Sequence, residues 1–261
     1  MSLIEGLFDV SGKTVVVTGG SRGIGYMIAR GFVEGGATVV ISARKAEACD
    51  EAARELSEFG TCISHPADLS TDEGIESLAA KVAEISPTLD VLVNNAGATW
   101  GAPVDDFPAA GFDKIFDINV KAIFLLTQKL LPQLRSAAKA EDPARVINIG
   151  SIDGLVVSGS ENFSYGASKA AVHMLTRKLA ATLAGEQITV NAIAPGPFPS
   201  KMMAFLLEDE QSAKAVADSV PLGRVGTPQD AAGLAIFLAS RAGAYLTGAV
   251  IPLDGGASGA R

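Results

Sequence analysis

The sequence predicts an α/β fold, a doubly wound sheet of seven parallel strands, and three observations carry that reading. Short runs rich in β-branched residues alternate with longer helical patterns along all 261 residues. The first run passes directly into a glycine-rich loop and then a helix, the unit from which parallel sheets are wound. No Pro- or Ser-rich linker, internal repeat or low-complexity tract divides the chain, so residues 1–261 are expected to form one domain.

Taken in order, the predicted strands are TVVVT (14–18), TVVIS (38–42), CISH (62–65), DVLVN (90–94), RVINI (145–149), ITVNAI (188–193) and AVIPL (249–253). Their nearly continuous apolar character suits strands covered by helices on both faces. Residues 197–227 break the alternation. They predict a small helical insertion before the last helix and strand, placed at a strand's carboxyl end where it would cover substrate.

Hydrophobic residues make up 48% and charged residues 19% of the chain, the balance of a compact globular protein. A net charge of -8 offers no basic field for nucleic acid. Glu5 and Asp9 interrupt the apolar character of the N-terminus, which argues against secretion and membrane insertion. Cys49 and Cys62 lack metal-ligand spacing and are expected to stay free in a reducing, cytoplasmic setting.

The loop TGGSRGIG (18–25) places Gly19, Ser21, Arg22, Gly23, Ile24 and Gly25 between a strand and a helix. Glycines there let the backbone approach a pyrophosphate, while the helix N-terminus presents unpaired N–H groups and a positive dipole end. A plain strand-to-helix turn is the competing reading. An NAD site would place an acidic residue at the end of the second strand. The chain has Arg44 and Lys45 there instead, with Arg22 in the loop, a pattern suited to the extra phosphate of NADPH/NADP+ or, more plainly, to solvated charge.

TGGSRGIG, NNAG (94–97), INV (118–120), Ser151, YGASK (165–169) and NAIAPG (191–196) together resemble the short-chain dehydrogenase/reductase family over essentially the whole chain. Within it GGSRGIG (19–25), NNAGATWGA (94–102), EDPARVINIGS (141–151) and IAPGPFPSKM (193–202) are most similar to 3-oxoacyl (β-ketoacyl) reductases of the rhamnolipid-synthesis type. The resemblance implies a Rossmann-like single domain, usually a homotetramer, with a catalytic tetrad of Asn119, Ser151, Tyr165 and Lys169. It also implies that Asp68 and Leu69 lie by the adenine, that Asn95, Ala96 and Gly97 line the ribose, and that Pro195, Gly196, Phe198 and Ser200 flank the nicotinamide. Ser200 stands where the family usually has Thr, and Pro197 and Pro199 are additional in that loop.

Ketone reduction by a nicotinamide requires a polarised carbonyl and a proton for its oxygen. Tyr165 and Lys169 are four residues apart, on one helical face, so the ammonium is expected to favour the phenolate. Ser151 ends the fifth strand and is placed to donate to the same substrate oxygen. Asn119 is assigned a proton-relay water on the strength of the resemblance. Taken singly, these residues also read as a turn or cap serine, a satisfied buried amide and a half-buried aromatic.

His65 and His173 read as structural, and no metal site is expected. Trp100, Phe198, Met202, Met203 and Phe205 read either as core or as the wall of an apolar pocket. The expected reaction is NADPH-dependent reduction of a 3-oxoacyl or similar hydrophobic ketone. A sugar-acid or polyol dehydrogenase and a non-catalytic NADPH sensor are the alternatives. Docking of a carrier protein is weakened by Glu186 before the sixth strand, with Arg177 and Lys178 as substitutes. The loop containing Asp153, Val156 and Val157 is the expected place of substrate choice.

Overall fold

A computed structural model describes residues 4, 6–199 and 210–259. Its centre is a sheet in the order β3-β2-β1-β4-β5-β6-β7, every pairing parallel. The strands are β1 (Thr14–Thr18), β2 (Thr38–Ser42), β3 (Thr61–Ser64), β4 (Val91–Asn94), β5 (Ala144–Ile149), β6 (Ile188–Pro195) and β7 (Val250–Leu253). The expected strands differ from these only at their ends. Strand β6 continues to Pro195, where β5 no longer pairs, so the missing proline N–H costs no ladder bond on that side.

Side-chain alternation along each strand divides the core in two. Val15, Val17, Ile41 and Val93 face α1 (Gly23–Glu34), α2 (Ala46–Leu56) and the late helix Pro228–Ala239. Val16, Val40, Leu92 and Val190 face α3 (Asp72–Ile85), α5 (Ala122–Ala137) and α6 (Phe163–Leu183). Helix α4 (Ala109–Phe116) precedes α5, and a π turn at Asp117–Lys121 joins the two. Helices α7 (Glu210–Asp218) and α8 (Pro228–Ala239) follow β6, α8 starting at a capping box made by Thr227 and Asp230. Of the helical insertion expected in residues 197–227, α7 is present. Ser200, Met202, Met203 and Phe205 lie outside the described residues.

The chain order reverses between β1 and β4, which opens a crevice at the carboxyl edge of the sheet. Two further features brace that edge. Asn94 and Asn148 are register partners, and their amides form a buried chain from Thr127 through Asn94 and Asn148 to Thr176. Nearby, the Thr18 hydroxyl accepts from the N–H groups of Asn95 and Ala96, both at 2.9 Å.

Candidate active site

The glycine loop wraps the end of β1 with Gly19 and Gly23 at φ +66° and +56°, conformations that disfavour a side chain. A Cβ on Gly19 would meet Asn95 Nδ2 at 2.7 Å, and one on Gly25 would collide with both Asn95 and the Gly19 carbonyl. The glycines thus let the loop, a cradle of bare backbone, pack directly against Asn95 in the segment after β4. Arg22 occupies the N-cap of α1 in extended conformation, and no side chain caps the helix, which leaves the first-turn N–H groups for an anion. Arg44 is exposed just past β2. Its charge reaches Asp68, whose carboxyl also accepts from the Ser70 N–H and hydroxyl and lies below the usual carboxylate range despite partial burial.

The cradle and the tetrad residues meet through residues 95–98. Asn95 donates from Nδ2 to the carbonyls of Thr18 and Gly19, at 2.9 and 3.2 Å. Three residues on, the Ala98 N–H donates to Asn119 Oδ1 at 2.9 Å, and Asn119 Nδ2 donates to the Ala98 carbonyl at 3.0 Å. Asn119 Nδ2 also donates to Ser168 Oγ at 2.9 Å, and that hydroxyl donates to the Tyr165 carbonyl at 2.7 Å. Both amide hydrogens of Asn119 are therefore committed. The side chain braces α6 against the β4 loop.

Ser151, Tyr165 and Lys169 converge at the carboxyl end of β5. The Ser151 hydroxyl accepts from the Asp153 N–H at 3.1 Å and starts the Ile152–Gly154 turn. Burial pushes the Tyr165 phenol up to about 12; hydrogen bonding with Ser151 opposes the rise and the Asp153 charge adds to it. Lys169 donates from Nζ to the Ile149 carbonyl at 2.8 Å and lies 5.5 Å from the Tyr165 ring centroid. Burial lowers Lys169 to about 8. Lys169 is expected to favour the phenolate; its ammonium is hydrogen-bonded to a carbonyl beside the ring, and burial is the larger influence on the phenol. A phenol that holds its proton at neutral pH is suited to donating it.

Two expectations are revised. Phe198 is 3% exposed and belongs to the core, its ring filling the space left by the absent side chain of Gly226, whose N–H donates to Pro197. Leu69 is likewise buried, against the α3 and α5 side of the sheet, so only its backbone is left to face an adenine. Pro195 and Gly196 do lie at the end of β6 on the ligand edge. Trp100 remains at the surface with Lys114 over its ring. His65 bonds Ser77, and buried His173 is packed against Gly150 and Gly154 beneath the Ser151 turn. Sequence reasoning did not single out Thr18, Ser168, Asn148 or Thr176. The only signal for them was polar side chains at strand ends and within YGASK.

Comparison with known proteins agrees with this geometry. A family model described as enoyl-(acyl carrier protein) reductase matches residues 19–258. The rhamnolipids biosynthesis 3-oxoacyl-[acyl-carrier-protein] reductase of Pseudomonas aeruginosa is 52% identical over 95% of this chain and 97% of that protein. The 5-keto-D-gluconate 5-reductase of Escherichia coli is 34% identical over 96% of this chain and 97% of its own. The solved Pseudomonas aeruginosa RhlG/NADP active-site complex superimposes with a TM-score of 0.95 at 51% identity, covering 98% of this chain and 100% of that one. These matches span nearly the whole length of the proteins compared, and the chain belongs to the short-chain dehydrogenase/reductase family.

Proposed function

We propose that the protein is an NADP(H)-dependent carbonyl reductase acting on 3-oxoacyl groups or similar hydrophobic ketones, with Tyr165 as general acid. One observation carries the reading: Tyr165, Ser151 and the buried Lys169 gather at the carboxyl end of β5, in the same sheet whose first strand runs into the glycine loop. The 52% identical relative, a 3-oxoacyl-[acyl-carrier-protein] reductase, supports the substrate class.

The donor set fits NADPH. Gly19, Ser21, Arg22, Gly23, Ile24 and Gly25 would hold the pyrophosphate, Arg44 the 2′-phosphate and Asp68 with the Leu69 backbone the adenine. Residues 95–97 would face the ribose, and Pro195 and Gly196 the nicotinamide. When bound, the cofactor supplies the hydride. The protein's own part is protonic and electrostatic. Ser151 and Tyr165 donate hydrogen bonds to the ketone oxygen and so stabilise the charge that develops there. Tyr165 then transfers its proton to that oxygen. Lys169, anchored on the Ile149 carbonyl, keeps a donor beneath the ring and stabilises the phenolate left behind. Asn119, through Ser168, fixes the rotation of the first turn of α6 and thereby aims the phenol.

The acyl group is proposed to arrive as a thioester. Glu186 is paired with Arg135, so a carrier protein would have to dock on Arg177 and Lys178, both exposed on α6. No helix among the described residues is long and apolar enough to cross a membrane. We place the protein in the cytoplasm as a homotetramer. The two free cysteines and the exposed apolar side chains of Phe124, Phe163 and Met174 on α5 and α6 support this.

Initial rates with NADPH against a 3-oxoacyl thioester, a plain 3-oxo ester and a keto-sugar acid test the proposal, with Tyr165→Phe as the control. The thioester or ester should be reduced fastest, and Tyr165→Phe should lose about a thousandfold or more in kcat while binding NADPH normally. A marked preference for the sugar acid would transfer the assignment to a sugar-acid oxidoreductase. Tight NADPH binding with no turnover would make the protein a cofactor sensor.

A further inference from the structure

We infer that Asp153 is a specificity-determining residue, a fixed negative charge at the mouth of the site that turns away ketones carrying a carboxylate and admits neutral ones such as thioesters and esters. The inference rests on the proposed placing of the ketone oxygen between Ser151 and Tyr165.

The geometry fixes Asp153 at that position from three sides. Its N–H donates to Ser151 Oγ at 3.1 Å, so its backbone is one hydrogen bond from the hydroxyl that would meet the ketone. Its Oδ2 accepts from Asn162 Nδ2 at 3.0 Å, and Asn162, the N-cap of α6, spends its side chain on this bond rather than on the helix. Its carbonyl lies against Gly166, where a Cβ would come within 3.3 Å. The carboxylate is thus held between the turn that carries Ser151 and the helix turn that carries Tyr165.

The loop that carries Asp153 supplies no opposite charge. Residues 152–164, IDGLVVSGSENFS, contain no lysine or arginine. Asp153 has no ion-pair partner among the described residues, and it is partly exposed. The neighbouring side chains in the loop are apolar and outward, with Leu155 at 40% and Val157 at 97% exposure. Lys169, the cation nearest the phenol, is buried and committed to the Ile149 carbonyl. Asp153 is close enough to Tyr165 for its charge to add to the rise of the phenol, behind burial as the main cause.

A second negative charge entering the site therefore meets repulsion from Asp153, whose charge is balanced by no ion pair among the described residues. Charges about 10 Å apart at an effective dielectric near 20 repel enough to shift a relative rate roughly tenfold. The bond from Asn162 fixes the distance, so the discrimination belongs to the folded loop and not to a mobile side chain.

The test uses the intact protein with NADPH and a matched pair, the methyl ester and the free carboxylate of one short 3-oxo acid. Wild type is expected to favour the ester; Asp153→Asn, which keeps an acceptor for Asn162, should narrow the ester-to-acid ratio of kcat/KM roughly tenfold. Asp153→Glu, which keeps the charge, should leave the ratio close to wild type. In parallel, calorimetric binding of a carboxylate and its amide to the NADP+ complex should show Asp153→Asn tightening the carboxylate selectively. An unchanged ratio in both measurements overturns the inference and leaves Asp153 as a brace of the turn. Failure of wild type to reduce the ester sinks the functional proposal instead, and the binding pair still decides the role of Asp153.

Discussion

Replacing Thr18 by valine should destabilise the protein by about 2–4 kcal/mol, through two stranded donors. The hydroxyl accepts from the N–H groups of Asn95 and Ala96 at 2.9 Å and donates to the Val93 carbonyl at 3.3 Å, on a residue 1% exposed. Valine keeps the shape and removes the acceptor, so each amide loses its partner at about 1–3 kcal/mol, partly offset by burial of one more methyl. Urea denaturation at neutral pH measures the loss directly. For a chain of this size it corresponds to a melting temperature lower by roughly 5–15 °C. Because residues 95 and 96 form the wall against which the glycine loop is held, KM for NADPH should rise more than kcat falls. Thr18→Ser, which restores the acceptor, should recover most of both. A loss below about 0.5 kcal/mol in Thr18→Val would show that water satisfies the two amides and that the hydroxyl does not clamp the loop.

Two further outcomes follow from charges in the site. Arg44→Asp should lower the preference for NADPH over NADH by roughly tenfold to a hundredfold in kcat/KM, the worth of a charge-assisted bond to the 2′-phosphate. An unchanged preference would remove Arg44 from the cofactor site. Lys169 titrates near 8 when folded and near 10.5 when unfolded, so between those pH values the unfolded chain carries the extra proton and wild-type stability gains with rising pH from this residue. Tyr165 works in the opposite direction only above its ordinary value of 10, where the native state keeps the proton. Lys169→Met should therefore be more stable than wild type at about pH 8, with the gap closing by roughly 2 kcal/mol toward pH 10 in urea midpoints. A gap independent of pH would mean that Lys169 is not desolvated.

The sheet was legible in the sequence because valine and isoleucine cluster wherever a strand is covered on both faces, and because glycine and tyrosine-lysine spacing are local signals. Strand ends differed by one or two residues, where pairing partners rather than propensity set the limit, as at Pro195. Side-chain destinations were less accessible. Phe198 follows a strand on the ligand side and resembles a pocket wall, yet its place was decided by the bare Cα of Gly226, remote in sequence. Asn119 could be located on its helix, but its partners Ala98 and Ser168 come from two other segments that only folding brings together. The effect of Lys169 on Tyr165 depended on a competing carbonyl, Ile149, which helical spacing does not reveal.

The amide chain from Thr127 through Asn94 and Asn148 to Thr176 ties the ends of β4 and β5 to α5 and α6 without help from any ligand. Its consequence is thermodynamic: the strand ends that receive cofactor and substrate are already ordered, so association loses little conformational entropy there. Binding energy that would otherwise be consumed in assembling the floor of the site remains available to orient the ketone. Slow amide exchange at Asn94 and Asn148 in the free protein, matching that of the sheet interior, would be the mark of such preorganisation.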